Sequence, residues 1–260
     1  MSEKLSNRLG EIGYNNCGSK MIIVEYNSAK DIWVEFQDEY KIKTHTRYKD
    51  FKNGKVGNPY DKTMYGVGCL GVGEYKGSIG NSIPSHCYQT WTNMLMRCYS
   101  KKYQSKNDSY KGCLVENSLL NFQNFAKWYD ANYYEIEEER MCLDKDILCK
   151  GNRVYSPDTI IFVPQRINIL FCKNDKIRGK YPIGVSYSKS RKAFRSECKV
   201  IKGGERSRVL LGCFKTELEA FEVYKNFKEN YIKQVADEYK ELIPKKLYDA
   251  LYKYQVEITD

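Results

Sequence analysis

The sequence of 260 residues predicts an α+β fold, on two observations. Between residues 14 and 58, and again between 182 and 214, short runs alternate apolar and polar residues and are separated by turn formers, the period of half-buried strands. Elsewhere apolar residues recur at helical spacing: Trp91, Leu95 and Cys98; Phe122, Phe125, Ala126 and Tyr129; then Ala220, Phe221, Tyr224, Phe227, Tyr231 and Val235. The expected organisation is a small N-terminal antiparallel β domain at 14–65, a Gly-rich linker at 66–84 and a central α+β domain at 85–178. A three-stranded sheet packed on one helix follows at 181–240, and a C-terminal helix and tail at 241–260.

Each element has its own signal. Residues 1–13 are polar and read as a partly ordered arm. Met21–Tyr26 and Asp31–Phe36 read as strands joined by the turn at 27–30, with a third strand in Tyr40–Tyr48 and a turn at Asn53-Gly54. Glycines 66, 68, 71, 73, 77 and 80 crowd the next segment. It contains a formal GxGxxG, but a phosphate-cradling loop needs a helix directly after it, and here a polar stretch runs on to Pro84. A linker is the expected role. Tyr88–Tyr99 and Ser118–Tyr133 read as helices, and Pro164 opens a short one. Near the C-terminus, strands are expected at 182–187, 193–200 and 208–214, with turns at 189–192 and at Gly203-Gly204. Thr216 and Glu219 form a capping box for the long helix. A helix from Pro244 to Tyr252 and a strand or ordered tail at 255–259 end the chain.

A formal charge of +10 and a pI near 8.9 favour an anionic partner, most commonly nucleic acid. The 23 tyrosines suit half-buried surfaces. Ten cysteines, at 17, 69, 87, 98, 113, 142, 149, 172, 198 and 213, form no CxxC pair, and the two histidines are His45 and His86. That pattern excludes an ordinary zinc site and reads as reduced thiols of a cytoplasmic protein. The N-terminus has no apolar signal core, and no window suits a membrane span, so no membrane partner is expected.

The densest polar cluster is Asp144-Lys145-Asp146 with Asn152 close behind. Two acids two residues apart, with an asparagine, can hold a divalent metal such as Mg²⁺ against phosphate. The same residues can instead cap loop amides in a turn. Spacing leaves both readings open.

Around this cluster the chain resembles a family. Trp91 with Met94-Leu95 and Arg97-Cys98-Tyr99, Asn121-Phe122 with Phe125, the run from Leu143 through Asn152 to Asp158, and Gln165 with Asn168 resemble the HNH-type endonucleases of phages and mobile elements. Those proteins often carry a C-terminal AP2-like DNA-binding domain, and the resemblance covers about residues 88 to 240. It implies an HNH-like central domain and the cytoplasm of an infected bacterial host. It also implies catalytic roles for Asp144, Asp146 and Asn152, with Asp144 on the metal. This sequence departs from the pattern at one place: the residue after Asp144 is Lys145, where the family has a histidine base. A protonated lysine is a poor general base. The expectation is therefore a nuclease-derived binder without a cofactor. An active, homing-like endonuclease using Mg²⁺ is the alternative, and a phage inhibitor of a host defence system, bound to a host protein or nucleoprotein complex, is a third.

Alternation assigns the two faces of the C-terminal sheet. Phe194, Ser196 and Cys198 should face the helix; Arg195, Glu197 and Lys199 should face outward with Arg208 and Leu210, joined by Ser186 and Ser188 from the first strand. The segment is similar to AP2-like domains over their whole length, which implies that this outer face meets double-stranded DNA. Ser186, Ser188, Glu197, Lys199, Arg208 and Leu210 stand at the matching positions. Serines where plant members have arginines, and Leu210 where they have tryptophan, depart from that pattern. Glu197 can accept from a cytosine amino group, or can pair with Arg195 or Lys199.

Overall fold

The computed structural model describes residues 8–79, 83–171, 180–202 and 205–260. The first seven residues of the expected arm, Gly80, Cys172 and the Gly203-Gly204 turn lie outside the described residues. Helices and strands are mixed, as the α+β expectation requires.

In chain order, the first elements are β1 (Ile12–Tyr14), β2 (Lys20–Ser28), β3 (Asp31–Phe36), β4 (Lys43–Thr46) and α1 (Tyr48–Lys52). Next come β5 (Ser78–Ile79), β6 (Ile83–Pro84), α2 (His86–Tyr99), α3 (Lys101–Gln104), β7 (Leu114–Val115) and α4 (Phe122–Asn132). The chain continues through β8 (Met141–Asp144), β9 (Val154–Tyr155), β10 (Ile161–Pro164) and α5 (Gln165–Leu170). It ends with β11 (Val185–Ser188), β12 (Ala193–Lys202), β13 (Glu205–Phe214), α6 (Glu217–Glu238) and α7 (Lys245–Lys253). Two compact units result: Met1–Ala131 with Arg153–Pro157, and Asn132–Asn152 with Asp158–Asp260.

In the first unit β1 to β4 form an antiparallel sheet in sequence order. Its inner face buries Met21, Ile23, Ile32, Val34 and Phe36 against Phe51 of α1. The third strand is shorter than expected, because the chain turns into α1 at Tyr48. The helix expected from Ser118, α4, starts at Phe122 instead, since Asn117–Leu120 is a 3-10 turn. Trp91 is fully buried and donates from Nε1 to the Leu119 carbonyl at 2.9 Å.

The glycine-rich segment differs from a free linker through residue 77. Gly68 packs so closely that a Cβ there would lie 2.5 Å from the Leu95 side chain. Gly71 and Gly73 stand equally close to Asn121 and Gln123. Cys69 exchanges backbone bonds with Leu120 and Phe122, and Gln123 bonds both backbone groups of Tyr75. The glycines serve close approach of backbone to side chains rather than flexibility.

The second unit runs across the boundary expected near residue 178. The β8–β10 hairpin and α5 share one core with the C-terminal sheet and helices. Ile147, Ile161, Val163 and Ile167 pack with Val200, Ile232, Val235, Leu247 and Leu251. The expected central domain is thereby divided, its α2–α4 part belonging to the first unit and its hairpin to the second. The tail is ordered without being a strand. Val256 is buried beside Cys198, Phe221 and Tyr224, and its amide donates to Glu229 at 2.8 Å. Lys150 donates to Gln255 O and to Asp260, each at 2.8 Å, which ties the loop after β8 to the tail.

Candidate nucleic-acid interface

The sheet β11–β12–β13 is antiparallel throughout and lies on α6. The capping box is present: Thr216 Oγ1 accepts from the Glu219 amide, and the Glu219 carboxylate accepts from the Thr216 amide, both at 3.2 Å. Such a cap contributes about 1 kcal/mol to starting the helix here. Ser196, Cys198 and Val200 point inward and are buried; Ala220, Phe221, Tyr224, Lys228, Tyr231, Ile232, Val235 and Ala236 are the buried residues of the facing helix. The Tyr231 hydroxyl accepts from the Ile201 amide at 2.8 Å and donates to its carbonyl at 3.1 Å, pinning β12 to the helix. Phe194 is only half-buried, against the rings of Tyr181 and Tyr187.

The outer face is then read off the register. Arg195 stands between Ser186 and Cys213, Glu197 opposite Leu210, Lys199 opposite Arg208, and Ile201 opposite Arg206. A bulge at Ser196/Glu197 sets Ser196 against Gly212 and Glu197 against Leu210, keeping Leu210 on the face with Glu197. Of the two roles open to Glu197, the structure shows pairing with Arg195, whose Nη2 lies 2.6 Å from Glu197 Oε1. Among the described residues no carboxylate pairs with Lys199, Arg206 or Arg208. Ser186 is exposed on this face, while Ser188 is tied into the turn through Ser190 at 3.2 Å.

Sequence reasoning missed two cations. Arg206 continues the face one step beyond Arg208, and period-two alternation run backwards would have found it. Arg191, in the turn before β12, reaches Cys213 Sγ at 3.5 Å and so lies over the same face. No sequence pattern marks that direction.

The acid cluster takes the capping arrangement. Asp144 ends β8, and its Oδ1 accepts from the amides of Asp146 (2.9 Å) and Ile147 (2.8 Å). Lys145 is buried; its Nζ donates to Asp146 Oδ2 and to Asn152 O, both at 3.0 Å. Asn152 Nδ2 closes the loop onto Lys145 O at 2.7 Å. The three expected catalytic residues are thus brought together, and the bonds given above run within this loop and to Lys145. Among the described residues no group of three or more His, Cys, Asp or Glu could hold a metal ion. Both histidines belong to the first unit, where His45 pairs with Asp31 and His86 with Tyr129.

Burial, and then the charge of Asp146, push the Asp144 carboxyl up to about 6, against the pull of the two amides. An acid with a raised folded pKa stabilises the protein only while protonated. Its contribution is complete below about pH 4 and is lost as pH rises through about 6. Asp144→Asn keeps an oxygen for the two amides and never ionises. It should raise stability at pH 7 by on the order of 1–3 kcal/mol and flatten the pH dependence between 4 and 7. Urea unfolding of both proteins across that range checks this; equal stability at neutral pH would refute it.

Among the described residues no helix is long and apolar enough to cross a membrane. The described cysteines are all free thiols. No family model, curated protein or solved structure matches this chain.

Proposed function

We propose that this protein binds duplex DNA through the outer face of β11–β12–β13, as a nuclease-derived binder rather than a cutter. The observation that carries the reading is Lys199 set directly opposite Arg208, with Arg206 one step on and no carboxylate paired to any of them among the described residues. Like charges opposite one another cost a sheet up to about 1 kcal/mol per pair. A polyanion laid on the face relieves that cost and gains counterion release. A sheet fits the major groove, where a wide cationic face reaches phosphates on both sides.

The cluster at Asp144 supports the binding half of the proposal. Lys145, in the place of the HNH-type base, engages Asp146 and the Asn152 carbonyl, and Asp144 is committed to two loop amides. On this reading the hairpin is a buttress: it shares its core with the DNA-binding sheet and holds that sheet rigid.

Titrating labelled duplex DNA with the purified full chain, at several salt concentrations, tests the proposal. Binding that weakens steeply with salt is expected, with the duplex left intact in Mg²⁺ or Mn²⁺. Cleavage that disappears in Asp144→Ala would overturn the binder in favour of a metal-dependent endonuclease. Absence of binding to any duplex would overturn both.

A further inference from the structure

We infer that Leu210 is a specificity-determining residue that reads the C5-methyl group of a pyrimidine in the major groove. The inference rests on the reading of the outer face as the DNA site.

A single exposed leucine is ordinary on a protein surface; the place of this one is not. Leu210 is 46% exposed on a face otherwise built of arginine, lysine, serine, one glutamate, the exposed Cys213 and the half-buried Ile201, so it is the large apolar side chain most open to a ligand there. The Lys199–Arg208 rank lies two residues along the strands, about 7 Å away, and the Arg195 rank lies on the other side. Leucine can add nothing to phosphate binding. Its cross-strand neighbour Glu197 is drawn along β12 by Arg195, so the pair presents one apolar end and one anchored carboxylate. The bulge at Ser196/Glu197 keeps Leu210 in register with Glu197 and off the α6 side, where the extra residue Leu211 packs instead.

A sheet in the major groove offers its rim to phosphates and its centre to base edges. The groove floor presents donors, acceptors and one apolar group, the methyl on C5 of thymine, or of cytosine once methylated. A leucine set between the Arg195 rank and the Lys199–Arg208 rank therefore has one complementary feature to meet. The same geometry disfavours RNA: uracil lacks the methyl, and the A-form major groove is too narrow for a sheet.

The test compares duplex pools of randomised sequence that differ only in that methyl. One pool contains thymine, one deoxyuridine in its place, and one deoxyuridine with 5-methylcytosine for cytosine. The full chain should bind the thymine pool more tightly than the deoxyuridine pool, by about fourfold for each methyl contacted, on the usual worth of one buried methyl-sized group. The third arm distinguishes the sources: recovered affinity shows that a cytosine methyl serves as well, and unrecovered affinity restricts the contact to thymine. Leu210→Ser should bind all pools alike with the same salt slope as the parent, while Leu210→Met should keep the preference. Equal affinity of the parent chain for thymine and deoxyuridine pools, or a preference surviving in Leu210→Ser, would overturn the inference and leave the DNA site standing. No binding to any pool would overturn the DNA site itself, and the inference with it.

Discussion

Replacing Lys199, Arg206 and Arg208 together by alanine should lower affinity for duplex DNA by a few hundred-fold at about 0.1 M salt, and reduce the salt slope by nearly three units. Each lysine or arginine that neutralises a phosphate contributes about 0.9 to that slope. Losing three contacts then costs about 10^2.7 in affinity at 0.1 M salt. The same variant should be as stable as the parent, or more stable by a few tenths of a kcal/mol, because it removes like charges set opposite one another in the sheet. That pairing of outcomes is the informative part. A loss of binding that came from damage to the fold would lower the unfolding midpoint, and here the midpoint should hold or rise. Lys246→Ala, at an exposed lysine of α7, serves as the control for a charge lost elsewhere. If the triple variant binds as the parent does, the outer face is not the DNA site.

Local pattern carried much of the secondary structure and less of its assembly. β3 ran over the residues that alternation marked, Asp31 to Phe36, and the capping box placed the start of α6 at Glu217. β13 was underread at its start, because Glu205, Arg206 and Ser207 are all polar and give no apolar period to detect. That is why Arg206 escaped. The glycines at 68, 71 and 73 misled in another way. What a glycine is for depends on what stands across from it, and Leu95, Asn121 and Gln123 lie 27 to 50 residues further on. The merging of hairpin and sheet into one core was likewise invisible locally. Each apolar stripe was readable, from Ile161 and Val163 to Val235 and Leu251, but which stripes meet is decided only by the whole unit. At Asp144 the spacing allowed a metal or a turn. The structure shows Asp144 accepting from two loop amides, whose positions no sequence pattern reports.

Gly184→Ala should destabilise the second unit by about 2–5 kcal/mol, the sum of backbone strain and overpacking. Gly184 has φ +78°, a conformation costly for any residue with a Cβ. A Cβ there would also lie 2.1 Å from Cδ2 and 2.4 Å from Cγ of Tyr224. That ring cannot swing aside, because it is buried with Phe221, Cys198 and Val256. Relief must come from the backbone, and the Gly184 carbonyl accepts the Glu197 amide at 2.9 Å, at the bulge that aligns Glu197 with Leu210. The substitution should therefore disturb the interface as well as the core. Gly151→Ala separates the two contributions. Its φ is +80°, nearly the same, but nothing lies within 4 Å of the added carbon, so it should cost only the strain, about 1 kcal/mol. Denaturant unfolding of both variants reads the difference. Adding Tyr224→Ala to Gly184→Ala should recover part of the loss, as coupled neighbours do in a double-mutant cycle. Equal costs at the two glycines, or no coupling to Tyr224, would mean that β11 does not approach α6 as closely as the positioning of the DNA face requires.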